Sequence, residues 1–208
     1  MNTNLSPRPT KIIDEEVKWD RSKTIISKTD LKGTILYMND AFGEASEYNK
    51  VELIGEPHNI IRHPDMPKVV FKVLWKALKK EENFHAIVKN LSRTGRYYWV
   101  ITDFEVERDE NGKATGYTGR RKAIPQSIID KIAPLYKTLL EIEQIKGEKA
   151  SELYFEAFLK EEVNMSYDEF VVDLFKNEVE KAANQNEEAE PNSKLKKSLN
   201  WFFFGEFV

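Results

Sequence analysis

The segment from residue 55 to residue 67, GEPHNIIRHPDMP, constrains the fold of this chain more than any other stretch. It holds three prolines, and each proline fixes its own φ and disfavours a helical conformation at the residue before it. We therefore predict a stiff loop here, on which Arg62, His63 and Asp65 are crowded together. The simplest interpretation of this charged triplet is a local salt bridge that supports a turn, because charged groups on loops are usually only solvated.

Strand and helix signals alternate along the first 124 residues. The predicted strands occupy residues 24–28, 34–38, 84–92, 96–108 and 114–122. Asn111–Gly112 is a strong hairpin signal between the last two of them. Short helices capped by Asn39 and Asn49, and a longer helix that ends near Lys80, are predicted between the second and third strands. This order predicts an α+β fold, with a five-stranded antiparallel sheet and short helices over one of its faces.

The regions that flank the sheet are predicted to be helical or polar. Residues 11–20 mix apolar and charged side chains and predict a short amphipathic helix. Beyond Pro125, apolar residues recur at coiled-coil-like spacing and predict helices, with a kink or a restart at Pro134. The predicted divisions are a tail and flanking helix at 1–20, a sheet domain at 21–124, a helical region at 125–183, and a polar linker with an aromatic tail at 184–208.

Composition excludes several classes of function. The 208 residues carry a net charge of −3 and contain no cysteine. The charge gives no general attraction to nucleic acid or anionic lipid, and the lack of cysteine excludes disulfides, thiolate metal sites and covalently attached haem. The only tight basic cluster near the predicted sheet, Arg120–Lys122, is interpreted as a solvated strand end. With no signal peptide and no apolar run long enough to span a bilayer, we expect a cytoplasmic protein.

Residues 35–107 resemble the PAS domain of bacterial aerotaxis receptors, a subfamily that binds FAD. The matching motifs are ELIGEPHN at 52–59, RHPDMPK at 62–68, VKN at 88–90 and the YW pair at 98–99. The resemblance implies a PAS fold over residues 21–124, and the helices predicted from the apolar pattern beyond Pro125 form a C-terminal helical extension. By resemblance, the FAD-binding residues are Asn39, Arg62, His63, Asp65, Trp75, Asn90 and Tyr98. Tyr117 is a weaker candidate, and no metal site is predicted.

The chemistry of these residues is coherent with a flavin. Arg62 offers a bidentate fork to a phosphate group. Asn90 presents a donor and an acceptor on one amide, which suits the edge of a flavin ring, although a buried asparagine satisfied by the backbone explains it equally well. Trp75 either stacks on a ring or packs in the core. Three roles stay open for Asp65: it holds Arg62 in place, accepts a hydrogen bond from a hydroxyl group, or caps the next helix.

The opposite face of the predicted sheet is apolar. Strand alternation places Tyr97, Trp99 and Ile101 on it, together with Ile87 of the neighbouring strand. A bare apolar face of this kind usually has a partner. The helix at 11–20, a second copy of the chain or a signalling partner is expected to cover it, and intramolecular cover is the conservative choice.

These features together predict a cytoplasmic redox or oxygen sensor for energy taxis, not an enzyme, with FAD bound non-covalently. Aerotaxis receptors continue into a membrane anchor and a methyl-accepting domain. This chain has neither, so the resemblance implies a separate membrane-anchored, chemoreceptor-like transducer that recruits it to the membrane. A homodimer is an open arrangement. Two alternatives to flavin remain: a haem gas sensor with His58, His63 or His85 as axial ligand, and a cofactor-free protein-interaction module.

Overall fold

The computed structural model describes residues 8–185, and a five-stranded antiparallel sheet forms its centre. The strands are β1 (Ile25–Asp30), β2 (Ile35–Met38), β3 (Phe84–Leu91), β4 (Tyr97–Arg108) and β5 (Ala114–Ala123). Their spatial order is β2-β1-β5-β4-β3, so β2 and β3 are the edge strands. The predicted antiparallel sheet is therefore confirmed, as is its connection through the hairpin between β4 and β5.

The helices between β2 and β3 pack over the inner face of the sheet. They are α1 (Asp40–Ser46), α2 (Lys50–Leu53), a 3₁₀ helix (His58–Ile61) and α3 (Lys68–Leu78). Asn39 is the N-cap of α1, because its side chain accepts a hydrogen bond from the Phe42 backbone N–H. The N-cap of α3 is Pro67. Asp65 therefore does not cap this helix, and its carboxylate instead pairs with the Lys89 ammonium at 2.6 Å.

The helix predicted at residues 11–20 is wrong. This segment is extended and follows the start of β4, where Val17 N–H donates to Tyr97 O at 2.8 Å and Tyr97 N–H donates to Glu15 O at 3.0 Å. The Val17 side chain is buried. A helix of this length is marginal in isolation, whereas the extended segment gains backbone partners on β4 and buries an apolar side chain. This long-range pairing overrides the local helical pattern.

The chain after β5 is helical, as predicted. It forms α4 (Gln126–Lys146), α5 (Glu148–Ala157), a π-helical turn (Phe158–Val163) and α6 (Tyr167–Gln185). A kink or a restart was predicted at Pro134, and the restart does not occur, since α4 continues through this residue. Among the described residues, no helix combines the length and apolar character needed to cross a membrane. From residue 186 on, the predicted linker and aromatic tail lie outside the described residues.

The C-terminal helices cover the outer face of the sheet and the exposed edge of β3. Trp99 stacks on Tyr136 of α4, with ring centroids 6.2 Å apart. At the edge, the Tyr136 hydroxyl donates to Ile87 O at 2.7 Å, and the Tyr167 hydroxyl accepts from Ile87 N–H at 3.2 Å. Asp168 accepts from the next edge amide, that of His85. These side chains satisfy backbone groups that an edge strand would otherwise leave open, so the cover of this face is intramolecular.

Candidate functional site

A cavity of about 400 Å³ lies between the inner face of the sheet and α3. This volume is within the range of small-molecule sites, roughly 300–1,000 Å³. Its apolar lining comes from α3 and the strands, namely Phe71, Leu74, Trp75, Leu78, Val88, Phe104 and Tyr117. Polar or charged side chains supply half of the lining residues, and some of them lie at the opening toward solvent. A cavity that combines aromatic and aliphatic side chains with convergent polar groups is a usual form of a binding site for an organic ligand.

Three of the seven residues singled out by resemblance line this cavity: Arg62, Trp75 and Asn90. The weaker candidate Tyr117 also lines it, and its ring meets Trp75 edge-to-face with centroids 5.8 Å apart. The other four residues, Asn39, His63, Asp65 and Tyr98, are absent from the cavity wall. With Tyr117 counted, four of the eight candidates lie together on the cavity wall, and the other four have different surroundings.

Asn90 presents the clearest sign that the cavity suits a polar ligand. Its side chain is only 4 % exposed, and its Nδ2 group has no hydrogen-bond partner. A buried donor without an acceptor is destabilising and uncommon in native proteins. The interpretation in which the backbone satisfies this amide does not hold for Nδ2. A ligand in the cavity that offers a carbonyl or a ring nitrogen would supply the missing acceptor.

Arg62 lies on the charged side of the cavity, where the lining reaches solvent. Its guanidinium is 4.4 Å from the centroid of the Phe71 ring and donates to Met66 O at 2.7 Å. Lys68 and Lys72 line the same side, and each forms an ion pair with a glutamate of α5, Glu148 and Glu152 respectively. Because carboxylates already pair with both lysines, Arg62 is the cation that this opening offers to a phosphate group.

The remaining candidates support the framework around the cavity. The Asn39 carboxamide is bonded at both of its ends, since Oδ1 accepts from Ile26 N–H and Phe42 N–H while Nδ2 donates to Thr24 O at 2.8 Å. His63 packs edge-to-face on Tyr97, which belongs to the opposite face of the sheet. Burial lowers the pKa of His63 to about 4, so its ring is neutral near pH 7.

Tyr98 is cross-strand from Asn90 and shares its face of the sheet. Its side chain is completely buried, and its hydroxyl has no hydrogen-bond partner. Burial raises the pKa of the Tyr98 phenol, which is neutral at all ordinary pH values. Tyr98 fills the core behind Asn90 and is not part of the cavity wall, although the resemblance implied a role in binding FAD.

Arg121 is the functional residue that the sequence analysis missed, because Arg120–Lys122 was interpreted as a solvated strand end. Its side chain is 2 % exposed and lines the cavity. Strand alternation contains the missing signal: Tyr117, Gly119 and Arg121 share the inner face of β5, whereas Arg120 points to the other face. The guanidinium donates to Ser27 Oγ at 2.9 Å, Gly119 O at 3.1 Å and His58 Nε2 at 2.9 Å.

This contact removes the basis for the haem alternative in the present geometry. Of the three histidines of the chain, only His58 lines the cavity. Its Nε2 accepts a hydrogen bond from Arg121, which has only donors. Burial and the neighbouring Arg121 charge lower the pKa of His58 to about 3, so the ring is neutral. An imidazole nitrogen that is already an acceptor for Arg121 is not an open axial ligand.

Comparisons with known proteins agree with this architecture. Residues 35–121 match the PAS fold family. The chain is 43 % identical over 116 residues to the aerotaxis receptor of Escherichia coli (strain K12), an alignment that covers 56 % of this chain and 23 % of the receptor. It is 27 % identical over 96 residues to the bacterioopsin transcriptional activator of Halobacterium salinarum, over 46 % of this chain and 14 % of that protein. The chain thus spans less than a quarter of either relative.

A solved light-oxygen-voltage domain, from a study of a flavin analogue, has the same fold. It aligns with a TM-score of 0.50 and 16 % sequence identity, and the alignment covers 54 % of this chain and 86 % of that one. The likeness therefore takes in most of the solved domain and about half of the present chain, and at this identity it shows the fold alone.

Proposed function

Because residues 35–121 of this chain match the PAS fold family, we propose that the chain is a non-catalytic cytoplasmic redox sensor that binds FAD non-covalently in the cavity beneath α3. The observation that carries the proposal is the buried, unpartnered Nδ2 group of Asn90 on the cavity wall. The 43 % identity to an aerotaxis receptor supports flavin as the ligand class, because FAD is the cofactor that the resemblance to this family implies. A bound flavin supplies the electron chemistry, while the protein supplies orientation and electrostatics.

The cavity residues divide into three roles in this proposal. Asn90 and Arg121 offer donors to the polar edge of the flavin ring system. Trp75 and Tyr117 provide aromatic surface for its faces. Arg62, at the charged opening, receives the phosphate groups through its two-pronged guanidinium. Together these residues bind an elongated ligand that is aromatic at one end and anionic at the other.

Strand β3 connects the cavity to the C-terminal helices. Asn90 lies on its inner face, and three residues earlier Ile87 is held by the hydroxyls of Tyr136 and Tyr167. A change of charge in the cavity alters the hydrogen bonds that Asn90 makes. Because Asn90 and Ile87 belong to one strand, that change reaches α4 and α6, which present the outer surface. We propose this surface as the contact for a membrane-anchored, chemoreceptor-like transducer.

The helices that cover the outer face of the sheet also limit how two copies of the chain can pair. The apolar outer face that would suit a homodimer is occupied by α4 in the described part of the chain, where Trp99 is only 7 % exposed. A second copy would have to displace these helices or use another surface. The proposal therefore places the signalling contact on the helices themselves, whether the partner is the transducer or a second copy.

The visible absorption spectrum of the freshly purified chain, followed by heat release of any chromophore, tests the cofactor. We expect two flavin bands and a released compound that chromatography and mass spectrometry identify as FAD. A Soret band would instead establish haem, and released FMN would correct the identity of the flavin. A folded protein that stays colourless after incubation with FAD would refute flavin binding and favour a cofactor-free interaction module.

A further inference from the structure

Arg121 is a buried cation with only neutral partners. Its three hydrogen-bond acceptors are the Ser27 hydroxyl, the Gly119 carbonyl and the His58 ring. Among the described residues, no carboxylate forms an ion pair with it, and the one carboxylate on the cavity wall, Glu148, is paired with Lys68 at the opening. A buried charge without a counter-ion destabilises a protein strongly. A ligand that bears negative charge inside the cavity would remove this penalty.

The residues around Arg121 hold its guanidinium in one position. A Cβ atom on Gly119 would come within 2.7 Å of Arg121 Nη2, so only glycine leaves room for the guanidinium here. The guanidinium also lies 5.5 Å from the centroid of the Phe42 ring, a favourable cation–π position. His58 accepts from it as a neutral ring. The position of this charge on the cavity wall is therefore fixed before any ligand binds.

We propose that Arg121 is the counter-ion of the reduced flavin and that it raises the midpoint potential of the cofactor by stabilising its anionic reduced form. This inference rests on the proposed function, because it requires a flavin in the cavity. It goes further by assigning one residue as the determinant of the potential at which the sensor switches. Arg121 acts here as a positioning and electrostatic residue, with no bond made or broken at the side chain.

Proton stoichiometry distinguishes the two reduced forms. A flavin that gains two electrons and one proton becomes an anion, and a flavin that gains two electrons and two protons becomes neutral. In the titration the electrons come from dithionite, which is oxidised to sulfite, and the protons come from water. A fixed positive charge beside the ring favours the first product. The number of protons taken up with the two electrons therefore reports the effect of Arg121.

The midpoint potential as a function of pH, measured from mildly acidic to mildly alkaline solution, tests the proposal. For the wild-type chain we expect a slope of about 30 mV per pH unit, the value for one proton per two electrons. Arg121→Gln should lower the potential by about 30–60 mV, equivalent to a 10- to 100-fold weaker preference for the reduced form. In acid the slope of this variant should approach about 59 mV per pH unit, the value for two protons.

The groups around Arg121 do not titrate in this range, so the slope belongs to the flavin. The pKa of His58 is lowered to about 3, and the pKa of Tyr98 is raised by burial. The charged groups at the opening are the same in the wild type and in Arg121→Gln, namely Arg62, Lys68, Lys72 and Glu148. Arg120→Gln is the matched control, since it removes the same charge from the opposite face of β5 and should leave potential and slope as in the wild type.

The outcomes separate this inference from the proposed function. A flavin-loaded Arg121→Gln protein with the wild-type potential and slope would overturn the role of Arg121 and leave flavin binding intact. A wild-type chain that binds no flavin would overturn both. If Arg121→Gln does not fold, Arg121→Lys, which keeps the charge, should retain the one-proton slope. A two-proton slope in the wild type at every pH would refute the inference without any variant.

Discussion

Arg62→Ala is expected to weaken FAD binding to the purified, cofactor-free chain by about 30- to 1,000-fold, the equivalent of about 2–4 kcal/mol. Arg62 is on the cavity wall at its charged opening, where the Met66 carbonyl and the Phe71 ring hold the guanidinium in place. Alanine removes the two-pronged donor and leaves the phosphate groups of the ligand without it. Titration of the chain into FAD, followed by quenching of flavin fluorescence, gives the dissociation constant.

Asp65→Asn is the matched control for Arg62→Ala. Asp65 belongs to the same loop and to the same set of residues implied by resemblance, but it is 58 % exposed at its side chain and pairs with Lys89 away from the cavity. Loss of an exposed ion pair changes a free energy by about 0–1 kcal/mol, so the affinity for FAD should fall by no more than about fivefold. Equal losses in both variants would contradict the division between cavity wall and supporting loop.

Phe155→Ala is expected to lower the free energy of unfolding by about 3–5 kcal/mol, the range for a fully buried phenylalanine. Phe155 lies on α5 with no exposed surface and meets Tyr167 of α6 edge-to-face, with centroids 5.5 Å apart. Tyr167 in turn bonds to Ile87 on β3. The space left by alanine would therefore destabilise the sheet as well as the helices. Urea unfolding monitored by tryptophan fluorescence and circular dichroism measures the loss.

Leu153→Ala provides the comparison on the same helix. Its side chain is 55 % exposed, and its removal should change stability by less than about 0.5 kcal/mol. A similar small effect for Phe155→Ala would show that the C-terminal helices contribute little to the core. Two separate unfolding transitions in the wild type would show that they unfold independently of the sheet. The structure predicts a single transition, although the domain boundaries at 124 and 183 remain predictions.

The sequence predicted the sheet well because its signals are local. The hairpin at Asn111–Gly112 and the regular alternation along β4 depend only on neighbouring residues. The failure at residues 11–20 has the opposite origin, since the partner of this segment is Tyr97, some eighty residues away. A local helical pattern carries no information about a backbone partner so distant along the chain.

The candidate site was predictable only in part, for a related reason. Asn90 was found because it lies in the VKN motif that carries the resemblance. Arg121 lies on the same inner face of the sheet, but its neighbours Arg120 and Lys122 made the three residues look like one solvated cluster. Resemblance also transferred His63, whose packing against Tyr97 makes it part of the supporting loop. A match to a family motif does not distinguish the residues that contact a ligand from the residues that support the cavity wall.

The side-chain amide resonances of Asn90, recorded in protein labelled with ¹⁵N at asparagine, test flavin binding in this cavity most directly. Asn90→Ala assigns them by removing one pair of peaks. On addition of FAD we expect the Asn90 protons to move downfield, because the unpartnered Nδ2 group gains an acceptor. The Asn39 pair should stay in place, since its carboxamide is already bonded at both of its ends. Bound FAD with an unmoved Asn90 pair would contradict the assignment of the cavity as the flavin site.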